Sequence, residues 1–213
     1  MGRETYGGAC AWRTLQMHGG DYFFMTVSSI TPMTGFDRFE LPEPLLRGIR
    51  AAGFQNPRPI QIETIPAGLE GRDVLGLAQT GTGKTAAFAL PLLHRLLKAH
   101  CKGPCALVLA PTRELATQIA KETQTLAKFT PIKTVTIYGG VSSQHQVKAL
   151  RQKPEIVVGC PGRVLDLLQQ GVLRLDRIEA LVLDEADHMF DMGFLPDIRR
   201  ILAALPSQRQ NLL

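Results

Sequence analysis

Ala78-Gln-Thr-Gly-Thr-Gly-Lys-Thr85 decides how this 213-residue sequence is read. A short apolar run, Asp73-Val-Leu-Gly-Leu77, precedes it, and residues 84–99 carry apolar side chains at helical spacing. The order is therefore strand, glycine-rich loop, helix. Gly81 and Gly83 let the backbone turn tightly, so that successive N–H groups point inward at phosphate oxygens. The start of the following helix adds unsatisfied N–H groups and a positive dipole end, both favouring an anion. Lys84 reaches the β- and γ-phosphates as a point charge, and the Thr85 hydroxyl is suited to ligate Mg²⁺. Ala78, Gln79, Thr80 and Thr82 complete the cradle, with Ala78 standing where the loose consensus asks for Gly. The competing reading is an ordinary glycine-rich turn between strand and helix.

Asp184-Glu-Ala-Asp187 argues against that plainer reading. It follows Ala180-Leu-Val-Leu183, the pattern of a strand buried on both faces, and parallel strands deliver their ligands at their carboxyl ends. Asp184 would face the cradle and hold magnesium, usually through water, while Glu185 is placed to orient and deprotonate an attacking water. Asp187 would turn toward another part of the site. In isolation such a tetrad is more often an acidic helix N-terminus, since the dipole favours acids there. Cradle and carboxylates together imply nucleoside triphosphate chemistry, with Lys84, Asp184 and Glu185 as the catalytic set and Thr85 and Asp184 as magnesium ligands.

Working outward, strands at 74–77, 106–109, 134–138, 156–158 and 181–183 alternate with helices at 84–99, 113–128, 143–150 and 162–169. Two helices, 42–52 and 59–69, precede this series, and a last one covers 194–205. Alternation of this kind predicts an α/β domain, a parallel β-sheet flanked by helices on both faces. The net charge of +5 suits contact with a polyanion, although a mildly basic solvated surface would look the same. Aromatic residues make up 6%, which argues against base-stacking platforms. Cys10, Cys101, Cys105 and Cys160 show no zinc spacing and read as reduced thiols. No apolar run approaches membrane-spanning length.

Ordered motifs make the chain resemble the first RecA-like domain of a DEAD-box ATP-dependent RNA helicase. Gly53-Phe-Gln-Asn-Pro-Arg-Pro-Ile-Gln61 resembles the family's adenine-reading Q motif; Pro111-Thr-Arg-Glu-Leu-Ala116, Gly139-Gly140 and Pro161-Gly-Arg163 resemble its RNA-contacting segments; Asp184-Glu-Ala-Asp187 resembles its namesake. The resemblance runs from Phe36 to Leu213. It implies ATP and Mg²⁺ as cofactors, with RNA as partner through Pro111, Thr112, Arg113, Glu114, Gly139, Gly140, Pro161, Gly162 and Arg163. It also implies a role for Asp187 in interdomain coupling, adenine recognition by Gln61 with Arg58 nearby, and base stacking on Phe36.

Chemistry bears on each of these. A Gln amide donates one hydrogen bond and accepts another, which suits the N6/N7 edge of adenine; a solvated first-turn residue after Pro59 is the alternative. Phe36 is read either as the stacking aromatic or as core packing. Arg58 and Cys160 each stand where the family usually has Thr. The three RNA segments each follow an expected strand, so one sheet edge would present helix N-termini and flexible glycines as a phosphate track with little sequence preference.

The expected organisation is an irregular, disordered extension over 1–32 and an ATP-binding domain over 33–213. Against the family pattern the sequence stops before a final strand and a Ser-Ala-Thr motif, and the second RecA-like domain is missing. The resemblance therefore implies a monomeric, cytoplasmic chain that binds nucleotide but unwinds RNA poorly by itself. An ATP-gated RNA clamp, or another P-loop nucleic-acid motor, remains the alternative.

Overall fold

The computed structural model describes residues 35–76, 81–99 and 101–212, together with two strands near the N-terminus. The chain divides into two compact units, Met1–Thr34 and Gly35–Leu213. In the first, β1 (Arg13–Met17) pairs antiparallel with β2 (Gly20–Phe24), Thr14 opposite Phe23 and Leu15 opposite Tyr22. These strands depart from the irregular extension expected there. Strand-favouring Thr14, Tyr22 and Phe23 flank a two-residue link, His18-Gly19, and that is a hairpin signal. The rest of 1–34, and with it the expected disorder, lies outside the described residues.

The second unit opens with a 3₁₀ turn (Gly35–Phe39), then α1 (Glu43–Ala51), α2 (Pro59–Leu69) and α3 (Lys84–Ala99). Strand and helix then alternate through β3 (Ala106–Leu109), α4 (Arg113–Leu126), β4 (Thr134–Ile137), α5 (Ser143–Leu150), β5 (Ile156–Gly159), α6 (Pro161–Gln169) and β6 (Ala180–Leu183). Short helices α7 (Ala186–Asp191) and α8 (Leu195–Ala203) lead into β7 (Gln210–Leu212). The sheet runs β4-β5-β3-β6-β7, parallel at every pairing, with Leu107 opposite both Val157 and Leu181.

Every residue of β3, β5 and β6 is buried, as continuous apolar runs require when helices cover both faces. The strand period of two divides them between two clusters. Ala106, Val108, Ile156, Val158 and Val182 face Leu45, Ile49, Leu90, Leu93 and Ile119. Leu107, Leu109, Val157, Leu181 and Leu183 face Val164, Leu167, Ile198 and Ile201. The expected two-layered helix cover of a parallel sheet is what the chain builds.

Three local expectations differ. Of the strand expected at 74–77, only Val74 pairs, in a parallel bridge to Leu212, and Leu77 lies outside the described residues. Gly76 weakens pairing there, and the junction is held instead by Asp73, whose carboxylate accepts from the Asn211 backbone N–H at 2.7 Å and from Asn211 Nδ2 at 2.9 Å. β7 itself was not expected: its first residue is a buried Gln210, whose Nε2 donates to the carbonyls of Gly68 (2.9 Å) and Arg72 (2.8 Å). Finally, Cys101 and Cys105 are joined as a disulfide with Cα atoms 6.5 Å apart, within the span a bridge needs, where reduced thiols were expected. Among the described residues no helix is long and apolar enough to cross a membrane.

Candidate functional site

Parallel strands that end together place the loops that follow them along one edge of the sheet. The ladder continues one residue past β6, where the Asp184 N–H donates to the Leu109 carbonyl at 3.0 Å, so the Asp184 side chain emerges where the hydrophobic core stops. Lys84, the first residue of α3, brings its Nζ to 3.7 Å from Asp184 Oδ1. Burial pushes the Asp184 carboxyl above the ordinary range, the Lys84 ammonium pulls it back, and Glu185 pushes it up again. Glu185 follows in a left-handed backbone conformation (φ 53°), rare for a residue with a side chain and a mark of local strain. Its Oε2 lies 3.5 Å from His188 Nδ1. Asp187 is exposed on α7.

Lys84 and Thr85 open α3 after Gly81 and Gly83, both of which take positive φ (79° and 93°). At Gly83 a Cβ would stand 2.6 Å from Gln61 Nε2 and 3.1 Å from Arg58 Cδ, so only glycine lets these segments approach. Gln61 is fully buried. Its Oε1 accepts from the Arg58 backbone N–H at 2.9 Å, and its Nε2 donates to the Gly83 carbonyl at 3.0 Å. The Arg58 guanidinium donates to the Gly81 carbonyl. Thr82 sits in this loop, and Ala78, Gln79 and Thr80 lie outside the described residues. Phe36 is 4% exposed, its ring edge-on to Phe39 (5.9 Å) and Phe54 (5.8 Å).

Lys84, Asp184 and Glu185 form a wall shared by two clefts. One, of about 580 Å³, is mostly apolar and also takes in Asp187 and His188. The other, of about 430 Å³, collects Phe54, Arg58, Gly81, Gly83, Thr85 and, from α4, Leu115, Gln118 and Glu122. Phe54, Leu115, Gln118 and Glu122 line this cleft and were not assigned to the site by the sequence reading. Leu115, Gln118 and Glu122 do stand at i, i+3 and i+7, so one face of α4 was legible, but not what it faced. Burial raises the Glu122 carboxyl, Thr85 and Arg58 beside it lower it, and Asp184 adds to the rise.

The donor set suits Mg²⁺. Thr85 and Asp184 offer only oxygen, the choice of a hard cation, and the Asp184 carboxylate is buried. No group of three or more His, Cys, Asp or Glu side chains fit to hold a metal occurs among the described residues.

Because β4, β5 and β3 are neighbours, the loops after them lie side by side. Pro111 is buried, Thr112 caps α4 by accepting the Leu115 N–H at 3.2 Å, and Arg113 and Glu114 are exposed. The Arg113 guanidinium stands over the Tyr138 ring at 5.3 Å. Gly139 and Gly140 follow β4, exposed, Gly140 with φ 77°. Pro161, Gly162 and Arg163 open α6, and Arg163 reaches back to the Val141 carbonyl at 3.4 Å and to Asp166 at 3.4 Å. Cys160 is the N-cap of α6 without a side-chain capping bond, and burial raises its thiol.

The family model described as DEAD/DEAH box helicase matches residues 58–213. A Listeria monocytogenes protein named ATP-dependent RNA helicase CshA is 47% identical over 181 residues, covering 85% of this chain and 35% of the relative. ATP-dependent RNA helicase DeaD of Buchnera aphidicola is 51% identical over 170 residues, 79% of this chain and 28% of the relative. Among solved structures, a DEAD box protein from the hyperthermophile Methanococcus jannaschii superposes with a TM-score of 0.78 at 39% identity, over 84% of this chain and 49% of that one. The chain thus spans about a third of the length of these curated relatives.

Proposed function

The chain belongs to the DEAD/DEAH box helicase family, and from that premise we propose that residues 35–212 form an ATP-binding and ATP-hydrolysing core. In the whole protein this core couples the nucleotide to local, sequence-independent opening of RNA duplexes. The observation that carries the reading is the Lys84–Asp184 pair, set where a glycine loop opens α3 and β6 ends. It joins a cation for phosphate to a carboxylate for magnesium across one short gap.

On this reading, a triphosphate takes the place of Asp184 as partner of the Lys84 ammonium, and N–H groups from Gly81 to Thr85 receive the phosphate oxygens. Thr85 and Asp184 would hold Mg²⁺, which when bound offsets the charge of the phosphate oxygens. Glu185, pinned by its strained backbone, orients the attacking water and takes its proton. Gln61 reads adenine by exchanging its bonds to Arg58 and Gly83 for the base edge, a trade that ties base recognition to the loop conformation. The N-termini of α4 and α6, with Gly139, Gly140 and Arg163, would take RNA phosphates. Contacts of that kind carry little sequence information. Asp187, exposed beside the site, serves coupling to a further domain, and the cytoplasm is the setting.

The cations lining the smaller cleft are Arg58 and Lys84. An additional arginine at the transferred phosphoryl contributes roughly 10³–10⁵ in rate in phosphoryl transfer, so these 213 residues should bind nucleotide but turn it over slowly. Calorimetry with Mg-ATP tests the reading: wild type should give a saturable signal and Lys84→Ala none. Glu185→Gln should keep binding while hydrolysis falls by about 10²–10⁴. Equal binding by Lys84→Ala and wild type would overturn the assignment.

A further inference from the structure

Among the described residues β4 is an edge strand, with β5 on one side and no strand on the other. The Ile137 carbonyl accepts from the Cys160 N–H, just past β5, at 3.1 Å. By strand alternation the backbone of the next residue, Tyr138, then faces the open edge. A side chain closes that edge. Gln146, buried on α5, accepts from the Tyr138 N–H with Oε1 at 3.2 Å and donates from Nε2 to the Tyr138 carbonyl at 3.0 Å. One amide thus makes both bonds that a neighbouring strand would have made, at the last residue before Gly139 and Gly140.

The glycines themselves stand in open space. A Cβ at either would meet nothing within 4 Å, so packing demands neither, and of the two only Gly140 takes a positive φ, 77°. Beyond them Arg163 donates to the Val141 carbonyl at 3.4 Å, and before them the Arg113 guanidinium lies over the Tyr138 ring at 5.3 Å. We propose that Gln146 is a positioning residue of the RNA surface: by holding both backbone groups of Tyr138, it sets the direction in which the Gly139-Gly140 backbone leaves the sheet and the place of the ring under Arg113. The inference rests on the reading that these glycines and Arg163 take RNA phosphates. Gln146 is buried, so it makes no RNA contact itself. Removing its amide leaves every cation in place and releases only the backbone between them.

The test is binding of a fluorescently labelled oligouridylate to the full 213-residue chain, followed by anisotropy as salt is varied, well below each variant's unfolding temperature. Gln146→Met fills a similar volume but makes neither bond, and should weaken RNA binding by about 5–30-fold, the worth of two modest hydrogen bonds. Its salt slope should match wild type because no cation is lost, whereas Arg163→Ala should flatten the slope by about 0.7. Affinity for Mg-ATP should be unchanged. Gly140→Ala, strained at its positive φ, should also weaken RNA binding. Adding Gln146→Met to it should cost little more, since both changes act on one stretch of backbone. Gln146→Ala, which admits water to the same backbone groups, carries the test should the methionine variant fail to fold. Wild-type affinity in the Gln146 variants, a loss that adds in full to that of Gly140→Ala, or a changed salt slope overturns the proposal and leaves the RNA reading standing. Absence of RNA binding by wild type at low salt is a separate result: it removes the RNA reading itself and the proposal with it.

Discussion

Asp184 owes its chemistry to a conflict between burial, which favours the neutral acid, and Lys84, which favours the carboxylate. Its folded pKa lies above the unfolded value, so ionisation costs stability, a cost fully present above the raised pKa and relieved as pH falls through it. Removing Lys84 takes away the influence that moderates this cost. Thermal melts should therefore show Lys84→Ala losing more stability at pH 8 than at pH 5, and equal losses would mean that the pair is not electrostatically coupled. Cys160 offers the opposite case, a terminus left without its capping bond. Cys160→Thr places a better acceptor for the N–H groups of α6 there and should gain about 1 kcal/mol in denaturant unfolding, as Ser or Thr caps do. Lys84, Thr85 and Asp184 were legible in the sequence because their chemistry needs fixed neighbours within a few residues. Glu122 was not: it reaches the cleft only because α4 packs on α3. Arg58 was legible as a departure, but its hold on Gly81 depends on a contact across 23 residues of chain.

Secondary elements divide in the same way. β3, β5 and β6 are four-residue apolar runs buried throughout, and such runs betray themselves because both faces need the same residue types. β7 hides behind Gln210, whose side chain serves the carbonyls of Gly68 and Arg72 instead of the core. α7, at six residues, is too short to display a helical period. Packing between elements is where one atom decides. A Cβ on Gly48 of α1 would lie 2.0 Å from the Leu126 carbonyl oxygen at the end of α4, a backbone atom that cannot rotate aside. Gly48→Ala must push the helices apart, and overpacking of that kind costs typically about 1–3 kcal/mol. In the sheet, Leu107 is fully buried on the central strand, and Leu107→Ala should cost about 2–5 kcal/mol. Urea unfolding measures both, and a Gly48→Ala chain as stable as wild type would show that α1 is free to move.

At the scale of the molecule, everything assigned to function falls in the Gly35–Leu213 unit, which also contains the whole 58–213 family match. Among the described residues both apolar clusters draw only on positions between Phe36 and Leu212. Among the described residues the Met1–Thr34 unit holds one antiparallel pair of five-residue strands. A lone two-stranded hairpin is at best marginally stable in water, because too little apolar surface is buried to offset the ordering of its backbone. The larger unit should therefore fold without it. A chain starting at Met33 is expected to melt within about 2 °C of the full chain, since a shift of that size in a domain of 150–250 residues corresponds to under about 1 kcal/mol. Its affinity for Mg-ATP should be unchanged, because each residue assigned to nucleotide lies at or beyond Phe36. Loss of binding on removing residues 1–32 would mean that the N-terminal strands complete the site, and the boundary of the functional domain would have to move upstream.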